Sequence, residues 1–167
     1  PSCVSLDDRN AGCIGSAILH AWRFAEDGAN PLVFNNGDSF RFAADLTISG
    51  SGSAEAGLQI APWWSQADGG LNVRTTDGEI ACFGGRLPFY SFTGSQSLTY
   101  TKGETLHLEI LSQANGLSES SPGTIEYKVT KSGVVYTSGE KAFDMGNPNE
   151  GAPYGLWGIL SDARVGG

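Results

Sequence analysis

Positive charge is scarce in this sequence. Ten Lys and Arg face eighteen Asp and Glu over 167 residues, a formal net charge of -8. Nucleic acid and anionic membrane surfaces are held by clustered Lys and Arg, so both are poor matches as partners. Long apolar runs are missing too. Nothing approaches the roughly 18 residues that span a bilayer as a helix, so no membrane insertion is expected. The three cysteines and two histidines show neither C-x-x-C nor H-x-x-x-H spacing, which removes the usual zinc patterns. His20 and His107 have no neighbouring Ser or Cys to activate, which argues against a nucleophilic triad. No fixed-period repeat, low-complexity tract, internal linker or amphipathic helix stands out.

What is present points to a folded β protein. Hydrophobic residues make up 40% and charged residues 17%, a globular balance. The length fits one domain over 1–167. Twenty-four Gly and seven Pro punctuate the chain often, as short strands require. Phe40, Phe42, Ala44, Leu46 and Ile48 alternate with Arg41, Asp45 and Thr47. Side chains point to opposite faces along a strand, so this is a strand with one face on the core. Leu106, Leu108 and Ile110 repeat the pattern, as do Ile125, Tyr127 and Val129. Thr76-Asp77-Gly78 reads as a tight hairpin turn. Strands are also expected over 17–24, 32–34, 56–61, 86–92, 98–100, 134–136 and 154–165. About eleven strand candidates with one wet face each predict an all-β, antiparallel two-sheet β-sandwich.

The stretch from Gly57 to Phe92 concentrates the candidate binding residues. Trp63 and Trp64 are adjacent, so in a strand one ring enters the core and the other faces out. An outward indole can stack on the apolar face of a sugar; packing of both rings is the competing reading. Arg86, Phe89 and Tyr90 follow Leu87-Pro88 or precede it closely, and Pro88 places them on an edge strand or bulge. Arg donors and a Tyr hydroxyl can fix sugar hydroxyls or a carboxylate beside a stacking ring; an ordinary solvated edge is the alternative. Arg74 belongs to the same ligand-binding set, although a cross-strand ion pair with Glu79 around the 76–78 turn also accounts for it.

Other features are local. Asp144, Asn147, Asn149 and Glu150 gather oxygen atoms in one loop, which suits a structural calcium or simply caps turns. No other cofactor is indicated. Cys3 and Cys13 are placed to tie down the amino-terminal arm by a disulfide, and Cys82, within an apolar run, reads as a buried thiol. The chain opens on Pro1 rather than Met, which points to a secreted or cell-surface protein already processed. Three reduced cysteines in a cytosolic protein are the alternative. Gly166-Gly167 reads as a cut end.

Two passages carry a family resemblance. The first is LHLEILSQ followed by GTIEYKVTKSGVVYTSG, where Val135-Tyr136-Thr137-Ser138-Gly139 falls at a short hairpin position. The second is GLWGILSDARVGG, whose Gly158 to Val165 is similar to a closing strand of the type G-x-I-D-D-V-R-I. Together they resemble the concanavalin A-like lectin/glucanase superfamily, nearest to its laminin G-like modules. The resemblance implies a two-sheet jelly roll more than an activity. Neither an E-x-D-x-E hydrolase strand nor a legume-type metal pattern is present. Gln59-Ile60 is followed by Ala61 where a similar lyase strand has His.

The expected function is therefore an extracellular, non-catalytic carbohydrate-binding or adhesion module that uses exposed aromatic rings. A structural subunit of an extracellular assembly, with possible protein partners or self-association through those rings, is the second expectation. A polysaccharide hydrolase or lyase with an atypical acid pair is the third. Such a pair needs carboxyls about 5–10 Å apart, and Glu55, Glu79, Glu104, Glu109 and Glu126 supply candidates.

Overall fold

The computed structural model describes residues 5, 21–25, 27–30, 32, 38–60, 69–84, 87–116, 118–142 and 163–166. Among these residues the chain is all-β, with eleven strands and one short helix. A six-stranded antiparallel sheet contains β1 (Ala21–Arg23), β11 (Ala163–Gly166), β3 (Glu55–Ile60), β4 (Gly69–Arg74), β5 (Ile80–Phe83) and β6 (Tyr90–Ser91), in that spatial order. The second sheet runs β10 (Lys141–Ala142), β8 (Thr124–Lys131), β7 (Thr105–Gln113) and β2 (Phe40–Thr47). The strand β9 (Val134–Thr137) pairs with β8 as well.

Alternation in the sequence becomes burial in the fold. Phe42 and Ile48 are buried on β2 and just beyond it, while Arg41, Asp45 and Thr47 are exposed. On β7 and β8, Leu106, Leu108, Ile110, Ile125, Tyr127 and Val129 are each at most 1% exposed. Leu58, Ile60, Leu71, Val73, Ile80 and Cys82 do the same from the six-stranded sheet. Both inner faces thus close one continuous core. Fully burying each such side chain stabilises by about 1.5–3 kcal/mol.

Hydroxyl groups stitch the sheets together where the core ends. The Tyr100 hydroxyl accepts from the Ile48 amide at 2.7 Å and donates to the Glu104 carbonyl at 3.0 Å. The Tyr100 amide in turn donates to the Gly78 carbonyl at 2.9 Å. This one residue therefore ties the β4–β5 turn to the end of β2. The turn itself forms as Asp-Gly predicts. Gly78 sits at φ +76°, and a Cβ there would meet the Tyr100 carbonyl oxygen at 2.7 Å. Further along, the Tyr127 hydroxyl crosses the core to donate to the Pro88 carbonyl at 2.9 Å.

The chain departs from the expected strands after Ser91. Within its described residues, 87–92, the expected strand over 86–92 is reduced to β6, and 98–100 is not a strand. Phe92–Gln96 instead forms a short helix, α1. The cause is local hydrogen bonding that competes with the ladder. Ser91 Oγ caps the Gly94 amide at 2.9 Å, and Thr93 Oγ1 satisfies the Ile80 amide at 2.9 Å. Phe92 then reaches the core at 0% exposure. The expected strand over 17–24 is described only as β1, and that over 154–165 only within β11. Leu32 is not in a strand, and the rest of 32–34 lies outside the described residues. No helix among the described residues is long and apolar enough to cross a membrane.

Cys82 is a free, buried thiol. Burial pushes its pKa up to about 12. In peptide mapping, native Cys82 should resist iodoacetamide at mild alkaline pH and react fully after unfolding in urea. Because the folded value is raised, the thiol's stabilising contribution is complete below about pH 8.5 and fades as pH climbs towards the folded value. In a second test, Gly78→Ala should lower unfolding free energy by about 1–3 kcal/mol, read from urea midpoints, because the added carbon meets backbone at a positive φ.

Candidate binding face

Residues directly opposite each other on neighbouring strands share a face. Register therefore defines rows across the outer face of the six-stranded sheet. One row runs Arg23, Arg164, Gln59, Gly70 and Phe83 over five strands. The last ladder pair of β5 with β6 is Cys82 with Tyr90. Phe89 lies one residue before β6, outside the ladder. The next row, two residues or about 6.6 Å along the strands, reads Ala21, Gly166, Gly57, Asn72, Ala81 and Ser91. It holds little side-chain bulk, and its Gly57 and Ala81 are buried. A third row sets Glu55 against Arg74, with Glu79 opposite Arg74 through its backbone bond.

The aromatic end of the first row is open to solvent. Phe89 is 67% exposed and Phe83 39%. Gln59 and Asn72 are half-buried beside them, and Gly70 and Ala81 are buried. Two exposed rings beside a row of mostly small residues, with two amides within the rows, make a surface of flat apolar faces and paired donors and acceptors. That combination suits a ligand with apolar ring faces and many hydroxyls. The close approach of β3 and β4 is part of the shape. A Cβ on Gly57 would lie 2.0 Å from the Leu71 carbonyl oxygen, so only glycine lets the strands meet there.

Arg74 closes the third row on itself. Its guanidinium donates to Asp77 Oδ1 at 3.0 Å and Oδ2 at 2.7 Å, and to Glu79 Oε2 at 2.5 Å. The hydrogen bonds from Arg74, and then from the Glu79 amide, lower the Asp77 pKa to about 2. The cross-strand ion pair read from the sequence is thus formed, with Asp77 added as a second partner. Arg74 is four residues along β4 from Gly70, which faces Phe83. That is about 13 Å along the strand direction from the aromatic end.

Tyr90 and Phe89 part company. Tyr90 turns inward against the core, edge-on to Phe92 at 4.9 Å between ring centres. Its hydroxyl accepts from Gln96 Nε2 at 2.6 Å, and Lys141 Nζ stands 4.6 Å from its ring centre. Gln96 also donates to the Thr137 carbonyl at 2.8 Å. Tyr90 therefore joins the two sheets while Phe89 faces out, as neighbours on a strand must. Trp63, Trp64, Arg86, Asp144, Asn147, Asn149, Glu150, Cys3 and Cys13 lie outside the described residues. Among the described residues no group of three or more His, Cys, Asp or Glu is placed to hold a metal ion.

Sequence reasoning left His107 alone; the fold gives it partners. β2 pairs with β7 so that Asp45 faces His107. His107 Nδ1 donates to Asp45 Oδ1 at 2.7 Å, and Nε2 lies 3.9 Å from Glu109 Oε2. Glu109 is also paired with Arg41 and is only 8% exposed. The signal was the polar alternation on both strands, but it says nothing until the pairing of β2 with β7 is known. The direct neighbours of His107 across the sheet are Asp45 and Thr130, not Ser or Cys. Such cross-strand pairs contribute roughly 0.2–1 kcal/mol each to the sheet and need no ligand to account for them.

Compared with protein-family models, curated proteins and solved structures, the chain matches none.

The Arg74 network makes a pH test. Asp77 is held below its unfolded value of about 3.9, so its stabilising contribution is present above about pH 4 and is lost as pH falls through the folded value. Arg74→Gln should return the Asp77 titration, followed by carboxyl-carbon NMR, towards about 4. An unshifted titration would show that the guanidinium is not the cause.

Proposed function

We propose that this chain is a non-catalytic carbohydrate-binding or adhesion module of an exported protein, built on a concanavalin A-like jelly roll. The observation that carries the reading is two exposed rings, Phe83 at the end of β5 and Phe89 just before β6, beside a row of mostly small residues. Large apolar rings exposed together on a sheet face are costly to solvate and are most useful against a partner. A sugar ring offers that partner a flat apolar face, and the neighbouring amides of Gln59 and Asn72 suit its hydroxyls. Two antiparallel sheets closing one core support the fold part of the reading. The one described histidine, His107, is hydrogen-bonded to Asp45 on the second sheet and is not among the residues of this face.

The test is a polysaccharide panel read by affinity electrophoresis and calorimetry. The intact chain should bind at least one glycan. Phe89→Ala and Phe83→Ala should each weaken that binding by roughly ten- to hundredfold, the worth of one buried ring. Their circular dichroism and thermal midpoints should stay near those of the parent, since both rings are already exposed. Unchanged affinity in both variants would move the site away from this face.

A further inference from the structure

The connection between β7 and β8 sets two residues side by side that the fold needs for separate reasons. β7 ends at Gln113 and β8 starts at Thr124. Between them, Ser118 and Ser121 exchange both backbone hydrogen bonds, at 3.2 and 3.1 Å, which closes a tight turn. Asn115 stands in the left-handed region at φ +50°, a conformation that asparagine tolerates better than most residues. Its Nδ2 donates to the Pro122 carbonyl at 2.9 Å. Gly116 follows because Ser121 comes close: a Cβ at this position would meet Ser121 Cβ at 2.9 Å and Oγ at 3.0 Å. The Gly116 amide donates to Ser121 Oγ at 3.1 Å. Asn115 and Gly116 are both exposed to water.

An asparagine followed by glycine is chemically labile. The glycine backbone nitrogen attacks the side-chain carbonyl carbon of the asparagine. Its proton passes through solvent to the departing amine, which leaves as ammonia, and a cyclic imide remains. Water then opens the imide to aspartate or isoaspartate. Glycine has no side chain to hinder the attack and leaves the backbone free to reach it. We infer that Asn115 is a site of spontaneous deamidation, held back by the two hydrogen bonds that tie Asn115 and Gly116 to Pro122 and Ser121. The nitrogen that leaves is the donor to Pro122, and the nitrogen that attacks is the donor to Ser121. Both are tethered to the returning side of the turn, and local opening frees them together. The product does not rebuild the turn. A carboxylate has no N–H to offer the Pro122 carbonyl, and isoaspartate lengthens the backbone ahead of Gly116. The reaction also adds a negative charge to a chain already at -8. The turn therefore opens reversibly before the reaction and stays loosened after it.

The experiment incubates the full chain at mildly alkaline pH, native and in urea, and follows Asn115 by peptide mapping with mass spectrometry and by ammonia release. In urea Asn115 should convert to aspartate and isoaspartate. In the native chain it should convert roughly five- to hundredfold more slowly, the protection that two hydrogen bonds supply. Hydrogen exchange at the Gly116 amide should report the same degree of protection. Ser121→Ala removes the acceptor for that amide and should speed native conversion by roughly two- to tenfold while leaving the rate in urea unchanged. Gly116→Ala should slow conversion in urea, a readout that does not depend on whether the variant folds. Asn72, which precedes the β-branched Val73 within β4, should stay intact in the native chain. Asn115→Asp should elute with the modified chain on ion exchange and lose the protection of the Gly116 amide. No conversion of Asn115 in urea would overturn the site. Equal rates in the native and urea-unfolded chain, or a native rate unmoved by Ser121→Ala, would overturn the control by the turn.

Discussion

Strand register is the constraint on which the rest of this structure depends, and burial is what fixes it. Leu58, Leu71 and Cys82 lie opposite one another from β3 to β5, and all three face the core. Sliding any of these strands by one residue would turn its apolar set outward and bring Gln59, Asn72 or Phe83 inside. The cost of that exchange holds the ladder in place. The outer face is then not free to vary. Once the inner residues are seated, the identities and spacing of the outer rows follow.

The two outer faces use that freedom differently. On the second sheet, Arg41, Asp45, His107 and Glu109 pair with one another, and Lys128 pairs with Glu126. Its charges are consumed within the sheet. The six-stranded sheet closes only its third row in this way, around Arg74. Its first two rows combine small residues, amides and an exposed aromatic ring. The charged side chains of one sheet are thus largely paired within it, while the first rows of the other are built mostly from small, amide and aromatic residues.

Much of the fold could be read from single strands. Phe40 to Ile48, Leu106 to Ile110 and Ile125 to Val129 announce themselves because each has one wet and one dry side. Asp77-Gly78 announces its turn because few residues tolerate that backbone angle. The helix after Ser91 was hidden: its Gly, Ser and Thr content looks like a turn, and what selects it is the fit of Phe92 into a core made by distant strands. Phe89 was visible as an aromatic near a proline, while the pairing of the strand that follows it with β5 was not. Asp45 and His107 are 62 residues apart, and Arg23 and Arg164 are farther still. No local pattern encodes such neighbours, because they are created by which strands pair.

The Ser91 cap has an effect beyond the helix it starts. It bends the chain away after two residues of β6, and β1 at the opposite rim has only three. Amyloid-like growth and domain exchange both require a long, unpaired border of amides on which a new strand can template itself. Neither rim of this sheet provides one among the described residues.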